Sequence, residues 1–167
     1  MSLDVLVNNA GISIGTPARV SEESVDDVGR MLEVNTLGPL RVTQAFLPLL
    51  RRSRSARIVM MSSGLGSITD AGDIAGLFWS VGYAGYCASK SALNMLTVKL
   101  AKELLADGIK VNAADPGFTA TDLNGRTGYR TVEEAAAIAV KLATLNPIGP
   151  TGGFFHDGHA GQSRLPW

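Results

Sequence analysis

Short apolar runs alternate with longer stretches of helical periodicity along this chain. The runs near residues 4–8, 57–61 and 109–114 are rich in apolar and β-branched residues and end in small or polar ones, which predicts buried strands of a parallel sheet. A further short strand is predicted near residues 152–156. Because predicted strands and helices alternate, we expect an α/β fold in which helices cover both faces of the sheet.

Apolar residues at helical spacing, with capping residues at their ends, predict four helices. Ser21, followed by the acidic residues Glu22 and Glu23, is typical of a helix start. Thr131 and Glu134 have the spacing of a capping box before the last helix. The predicted helices cover residues 21–32, 35–52, 83–105 and 135–145.

Length and composition narrow the classes of protein. With 167 residues the chain is long enough for one sizeable core, and we interpret residues 1–167 as a single domain. Its 15 basic residues balance 15 acidic ones, and no basic cluster is large enough to follow a phosphate backbone, so nucleic acid is not an expected partner. No apolar stretch approaches the ~20 residues of a membrane span, and the single cysteine and lack of a signal-peptide pattern favour a cytoplasmic protein.

A tyrosine and a lysine at helical spacing give the first indication of chemistry. Tyr86 and Lys90 lie four residues apart in a predicted helix, which places both side chains on one face. A lysine cation ~5 Å from a phenol, at an effective dielectric of ~20, favours the phenolate by about 3 kcal/mol, or roughly two pKa units. We therefore expect Lys90 to lower the pKa of Tyr86 and to make it a usable acid-base group. By itself the spacing is also common on exposed helices.

Three loops follow the carboxyl ends of the predicted strands. They cover residues 8–11, 62–64 and 115–121 and consist largely of small, polar or glycine residues, which let a ligand approach the backbone. In an open parallel sheet, ligands bind in the crevice at these ends. We expect the three loops to form one ligand-binding crevice.

Five short motifs follow one another in a fixed order, and three of them include residues of these loops. They are LVNNAG at residues 6–11, VNTLG at 34–38, IVMMSS at 58–63, YCASK at 86–90 and DPGFTAT at 115–121. Singly, several of these motifs are also ordinary turn, cap or strand-end chemistry. Together they resemble the signatures of the short-chain dehydrogenase/reductase family. The resemblance implies a Rossmann-type doubly wound parallel sheet and reversible hydride transfer between NAD(P)H and a carbonyl or alcohol substrate.

The resemblance implies catalytic roles for four residues. Tyr86 would be the general acid or base, and Lys90 would lower its pKa while binding the nicotinamide ribose. Ser63 would polarise the substrate carbonyl. Ser62 is the alternative, but the family motif points to the second serine of the pair, which is Ser63. Asn35 would hold a water molecule that relays protons from Lys90 toward solvent.

The resemblance also implies a cofactor site for NAD or NADP and a homo-oligomer. The implied cofactor-binding residues are Asn8, Ala10, Gly11, Tyr86, Lys90, Pro116, Gly117, Thr119 and Thr121. Family members commonly pair through two helices, which correspond here to residues 35–52 and 84–105. No metal is implied, and the residues that choose between NAD and NADP would precede this sequence.

The chain departs from the family pattern at its beginning. Family members start with a strand, a TGxxxGxG loop and a helix that receives the cofactor pyrophosphate, and this sequence contains no such segment. We expect it to match the C-terminal half of the fold, from the fourth strand onward, with an exposed sheet edge and a weakened site for the adenosine half of the cofactor. Two further interpretations stay open: a non-catalytic remnant that serves as a self-associating or interaction module, and a truncation introduced by the gene model or by cloning.

Three other features have competing interpretations. Residues 69–82, which include Phe78 and Trp79, form an insertion relative to the family. This insertion either shapes a substrate pocket or is an ordinary surface loop. The segment His156–His159 contains possible metal ligands but no distant third one, so a surface loop is favoured. Cys87 is expected to pack away from the face that carries Tyr86.

Overall fold

The computed structural model describes residues 1–15, 19–157 and 164–167. These residues contain a sheet of four parallel strands whose order follows the chain. The strands are β1 (Val5–Asn8), β2 (Arg57–Met61), β3 (Lys110–Asp115) and β4 (Phe154–His156). All the predicted strands are present, and β2 has the predicted limits.

Helices connect the strands, as the α/β prediction requires. They are α1 (Val25–Leu32), α2 (Gly38–Leu50), α3 (Ile68–Ala71), α4 (Ala84–Glu103) and α5 (Val132–Ala143), with short 3-10 turns at Val20–Glu22, Gly64–Gly66 and Asp122–Asn124. The predicted capping box is confirmed before α5, where Glu134 N donates to Thr131 Oγ1 and Thr131 N donates to Glu134 Oε2. Among the helices of the described residues, none has the length and apolar character that crossing a bilayer requires.

Both faces of the sheet are covered, because β2 directs alternate side chains to opposite sides. Ile58 and Met60 lie in a buried cluster with apolar residues of α2 and α4. Val59 and Met61 lie in a second cluster with apolar residues of α5. Every residue of β2 is buried. The predicted α/β fold with helices on both faces is therefore confirmed.

The first helix begins later than the sequence predicts. Ser24, not Ser21, caps α1 by accepting a hydrogen bond from Asp27 N at 3.3 Å. The residues Val20–Glu22 form a 3-10 turn instead. The prediction was wrong because both serines are followed by acidic residues within one turn, so local capping chemistry does not distinguish them.

The gap between the predicted helices at residues 21–32 and 35–52 is a change of helix type, not an interruption. Glu33–Leu37 is a π-helical turn that joins α1 to α2 without interruption. Asn35 and Thr36, which lie within it, are buried. On either side of this turn, α1 packs against α4, and α2 packs against β1 and β2. The turn therefore changes which neighbour the helical segment contacts.

Strand β1 forms one edge of the sheet in the part of the chain that the structure describes. Its Val5 and Val7 side chains are 37% and 40% exposed, whereas every residue of β2 is buried. Exposed apolar side chains on an edge strand offer a surface on which another segment or chain can pack.

Candidate active site

Helix α4 lies against the 3-10 turn that follows β2. A Cβ atom placed on Gly66 would lie 2.9 Å from the Cβ of Lys90, so the two backbones approach as closely as only glycine permits. Ser91 Oγ and Asn94 Nδ2 donate to the Gly66 carbonyl at 3.0 and 3.1 Å. These contacts hold α4, which carries Tyr86, against the end of β2.

Tyr86 and Lys90 share one face of α4, as their spacing predicts. The Nζ atom of Lys90 lies 5.6 Å from the centroid of the Tyr86 ring. The same ammonium donates a 2.8 Å hydrogen bond to the carbonyl of Met61, the last residue of β2. Lys90 is buried. The end of β2 therefore holds a shielded ammonium group beside a phenol.

The pKa of Tyr86 is not lowered, contrary to the expectation from its lysine neighbour. Burial raises this pKa to about 12; a hydrogen bond with Ser63 opposes the rise, and the charge of Asp115 adds to it. Burial also lowers the pKa of Lys90 to about 8. The prediction was wrong because burial dominates both pKa values: Lys90 loses its proton at a lower pH than Tyr86, so no ammonium remains to stabilise the phenolate. The phenol of Tyr86 is therefore protonated at neutral pH.

The structure separates the two adjacent serines at the end of β2. Ser62 is buried, and its Oγ donates a 2.6 Å hydrogen bond to Asn94 Oδ1. Ser63 is half-buried, and its interaction with Tyr86 lowers the pKa of that phenol against the effect of burial. Its Oγ also accepts from Leu65 N at 3.3 Å. Of the two, Ser63 is the serine beside the tyrosine.

Asn35 lies near Tyr86 and Lys90, but its side chain is hydrogen-bonded within the fold. Its Oδ1 accepts from Ile12 N at 2.8 Å, and its Nδ2 donates to the Ile12 carbonyl at 2.8 Å and to Ser89 Oγ at 2.9 Å. A Cβ atom on Gly11 would lie 3.4 Å from Lys90 Nζ and 3.6 Å from Asn35 Oδ1. Asn35 thus joins the segment after β1 to α4, and its role in holding a water molecule stays a prediction.

The predicted cofactor residues at the end of β1 divide between core and surface. Asn8 is buried, and its Nδ2 donates to Thr43 Oγ1 at 3.1 Å and to Met60 Sδ at 3.2 Å. The side chain of Asn8 is therefore directed into the fold, and its role along a cofactor stays a prediction. Ala10 and Gly11 are exposed.

The loop after β3 holds the other predicted cofactor residues. Gly117 has a φ of +72°, in the left-handed region that favours glycine, and its N–H donates to Asp115 Oδ1 at 3.0 Å. Thr119 Oγ1 donates to the Gly117 carbonyl at 3.1 Å. Pro116 and Thr121 are half-buried. Side chains within this loop therefore fix its shape.

An acid and a histidine that sequence reasoning did not connect lie across the ends of β3 and β4. The Nδ1 atom of His156 is 2.9 Å from Asp115 Oδ2, and its side chain is only 24% exposed. The hydrogen bond with Asp115 raises the pKa of His156. The interpretation of His156 as part of a surface loop was wrong, because it is the last residue of β4. The register that places Asp115 opposite His156 was the missing signal.

The metal-site alternative for this segment has little structural support. Gly158 and His159 lie outside the described residues. Within the described ranges, no group of three or more histidine, cysteine or acidic side chains is arranged to hold a metal ion. His156 is instead occupied by its contact with Asp115.

Part of the insertion at residues 69–82 reaches the end of β2. Phe78 is half-buried, and a Cβ atom on Gly64 would lie 2.9 Å from its Cζ atom. Its neighbour Trp79 is 55% exposed. Phe78 therefore covers the turn that follows Ser63, on the border of the site.

Two further polar residues of α4 support the site. Asn94, one helical turn beyond Lys90, binds the end of β2 through Ser62 and Gly66. Ser89 Oγ donates a 2.7 Å hydrogen bond to the Tyr86 carbonyl. The spacing of four residues from Lys90 was an available signal for Asn94, whereas nothing local indicates the role of Ser89. Cys87 on the same helix is partly buried.

A family model for short chain dehydrogenases matches residues 1–130. This chain belongs to the short-chain dehydrogenase family. The match includes the ends of β1, β2 and β3 and the first part of the segment that follows them. The parallel sheet with helices on both faces is thus the Rossmann-type fold of a short-chain dehydrogenase.

Two relatives and one solved structure are compared with this chain by sequence identity and by the share of their length that it matches. Short-chain dehydrogenase anuI of Penicillium roqueforti is 38% identical over 150 residues, which cover 86% of this chain and 58% of that protein. The C-signal of Myxococcus xanthus is 32% identical over 170 residues, which cover 99% of this chain and 93% of that protein. The NADPH-bound carbonyl reductase from chicken fatty liver superposes with a TM-score of 0.83 and 30% identity, covering 99% of this chain and 66% of that chain. This chain therefore spans little more than half of the first relative and nearly all of the second.

Proposed function

We propose that this chain is an NAD(P)-dependent oxidoreductase that interconverts a carbonyl compound and an alcohol. The observation that carries the proposal is the convergence of Ser63, Tyr86 and Lys90 at the end of β2. The hydroxyl of Ser63 would donate a hydrogen bond to the substrate carbonyl oxygen and stabilise the charge that develops there. The phenol of Tyr86 would then donate a proton to that oxygen.

The protonation state of Tyr86 favours the direction of carbonyl reduction. Its pKa of about 12 keeps the phenol protonated at neutral pH. A protonated phenol is ready to act as the acid that reduction requires, whereas alcohol oxidation requires the phenolate as a base. We therefore propose that reduction is the faster direction near neutral pH.

The residues around Lys90 fit a nicotinamide cofactor. The ammonium of Lys90 has three donors, and among the described residues only the Met61 carbonyl accepts from it. Gly11 beside it has no side chain, and a Cβ atom there would lie 3.4 Å from Lys90 Nζ. Lys90, Ala10, Gly11 and Gly117 would hold the ribose and nicotinamide. When bound, the dinucleotide supplies or accepts the hydride.

The test is cofactor binding followed by turnover. NADPH and NADH are titrated against the purified chain by nicotinamide fluorescence, and oxidation of the bound cofactor is then followed with a panel of small aldehydes and ketones. Lys90→Ala is expected to weaken cofactor binding by at least about tenfold, because it removes charge-assisted hydrogen bonds. Lys99→Ala, which changes an exposed lysine of the same helix, is the matched control and should bind as the unaltered chain does.

Two results would count against the proposal. Absence of saturable binding at millimolar cofactor would overturn it. Binding that Lys90→Ala and Lys99→Ala weaken equally would show general charge attraction rather than a site.

Residues 1–167 are proposed to act as one domain, so a single binding transition is expected.

A second candidate is a self-associating interaction module. It is favoured by the match to C-signal of Myxococcus xanthus over 93% of that protein, since this relative has nearly the same length and carries no dehydrogenase name. Exposed apolar side chains on α2 and α4, namely Val42, Phe46 and Met95, would supply the contact between copies. Concentration-dependent association in sedimentation, without cofactor binding, would favour this candidate over the oxidoreductase, and a monomer at all concentrations would remove it.

A further inference from the structure

The helix that carries Tyr86 is capped by a carboxylate from a distant part of the chain. Glu23 lies just after the 3-10 turn Val20–Glu22. One of its carboxylate oxygens accepts from Ala84 N at 2.6 Å and the other accepts from Gly85 N at 2.7 Å. These are the first two residues of α4, whose N–H groups have no acceptor within the helix.

No local residue provides this cap. Tyr83, at the N-cap position, has a φ of 62° and makes no side-chain hydrogen bond to the helix. A tyrosine in the left-handed region is uncommon and strained, so neighbouring structure has to hold it there. A carboxylate also suits the positive end of the helix dipole. Glu23 therefore satisfies both the geometry and the charge of the first turn of α4.

Close packing supports the same contact. A Cβ atom on Gly85 would lie 2.6 Å from Met31 Cε, 2.7 Å from Val28 Cγ2 and 3.0 Å from Glu23 Oε2. Only glycine permits α1 to approach the start of α4 this closely. The approach is what brings the Glu23 carboxylate within reach of two amides.

The π-helical turn holds α4 one turn further along. Thr36 Oγ1 donates to the Ser89 carbonyl at 2.8 Å, and Asn35 Nδ2 donates to Ser89 Oγ at 2.9 Å. Ser89 Oγ in turn donates to the Tyr86 carbonyl. Tyr86 therefore lies between the Glu23 contact and the contacts from the π-helical turn.

We propose that Glu23 is a positioning residue, whose carboxylate fixes the start of α4 so that the Tyr86 hydroxyl stands beside Ser63. This inference rests on the proposed oxidoreductase function. It adds a residue outside the five sequence motifs, at a sequence separation of about sixty residues from the group that it positions.

The contact itself is tested without any activity. In nitrogen-15 NMR spectra recorded through the acid range, the amide signals of Ala84 and Gly85 should move together with the ionisation of the Glu23 carboxylate. Glu23→Gln should abolish that movement. Glu22→Gln, which changes an exposed neighbour with the same chemistry, is the matched control and should preserve it. Amide signals that do not follow a carboxylate in the unaltered chain would overturn the proposal.

The positioning role is tested by kinetics on the same three proteins. Glu23→Gln should lower kcat for carbonyl reduction by about tenfold while the KM for NADPH is unchanged, because a small displacement of the acid slows proton transfer without removing cofactor contacts. Glu22→Gln should have no effect. An unchanged kcat in Glu23→Gln, with the NMR coupling lost, would overturn the positioning role but leave the proposed function intact.

The two levels of the inference fail in different ways. An unaltered chain that binds no cofactor and turns over no carbonyl would overturn the proposed function, and the positioning role of Glu23 with it. The NMR titration would still decide whether Glu23 caps α4.

Discussion

Two pairs of ionisable side chains lie at the carboxyl ends of the strands, and burial determines the pKa values of the first pair whereas a direct contact outweighs burial in the second. Tyr86 and Lys90 are both shielded from water; burial raises the pKa of Tyr86 to about 12 and lowers that of Lys90 to about 8. Asp115 and His156 are in direct contact at 2.9 Å, and their hydrogen bond raises the pKa of His156. In the first pair burial opposes both charges, and in the second pair the charges support each other.

The difference distinguishes the proposed reactive groups from groups that support the structure around them. Lys90 pays the desolvation cost of a buried cation and gains one protein acceptor, the Met61 carbonyl. The two carboxylate oxygens of Asp115 contact His156 and the N–H of Gly117, so Asp115 shapes the loop after β3. The comparison predicts that changes in the first pair act on chemistry and that changes in the second act on the shape of the loop.

The largest expected effect is the loss of the phenol. Tyr86→Phe should lower the rate of carbonyl reduction by about 10³-fold, because general acid catalysis contributes between 10² and 10⁴. The dissociation constant of NADPH should change little, since the ring remains. Tyr129→Phe, which removes the hydroxyl of an exposed tyrosine, serves as the control in the same NADPH oxidation assay. Equal rates for the two variants would remove Tyr86 from the mechanism.

A smaller effect, of opposite sign for stability and activity, is expected at Lys90. Lys90→Met should abolish most cofactor binding yet raise the free energy of unfolding at pH 6 by about 1 kcal/mol, because a buried cation is removed. The folded-state pKa of about 8 is below the ordinary 10.5, so the unaltered protein gains stability as the pH rises from 8 to 10.5. The advantage of the variant should therefore shrink over that range.

Denaturant unfolding at pH 6 and pH 9.5 measures the Lys90 effect, with Lys99→Met as the control for a change in an exposed lysine. A variant that is less stable at both pH values would mean that the hydrogen bond from Lys90 to Met61 outweighs the desolvation cost.

The smallest expected effect concerns the second pair. Asp115→Asn should return the pKa of His156 toward its ordinary 6.5, because the carboxylate that raises it is gone. In the unaltered protein the pair stabilises the fold fully below pH 6.5, and this contribution is lost as the pH rises through the raised pKa of His156. NMR titration of the His156 ring measures the shift, with His159→Gln to assign the two histidines. A pKa that is unchanged in Asp115→Asn would contradict the pairing.

Much of the fold was predictable because local patterns determined it. The run Arg57–Met61, apolar from Ile58 onward, predicted β2 with its observed limits, and the predicted Thr131–Glu134 capping box is present, although α5 begins at Val132, before the predicted range 135–145. The start of α1 was mispredicted, because Ser21 and Ser24 offer the same capping chemistry. A gap was predicted between the helices at residues 21–32 and 35–52, because sequence periodicity does not distinguish a π-helical turn from an interruption.

The candidate site was predictable where spacing on one helix was enough. The four-residue interval placed Tyr86 and Lys90 on a common face, but the burial that reverses the expected shift in the pKa of Tyr86 depends on the whole fold. Glu23 and His156 were missed for a related reason. Both meet their partners only through packing between distant elements, Glu23 with the start of α4 and His156 with the end of β3.

The π-helical turn at Glu33–Leu37 also affects where the length of this chain can vary. Each residue of an α-helix advances the side-chain direction by about 100°. A π-helical turn holds one residue more than the α-helical turn that it replaces, and it absorbs this extra residue locally. Deleting one residue from Glu33–Leu37 is therefore expected to restore an ordinary helix with Leu47 and Leu50 still directed toward the sheet, whereas a deletion within α2 would turn the residues beyond it away from the sheet. A change of one residue in length should thus disturb the packing of α2 less in this turn than in the helix that follows it.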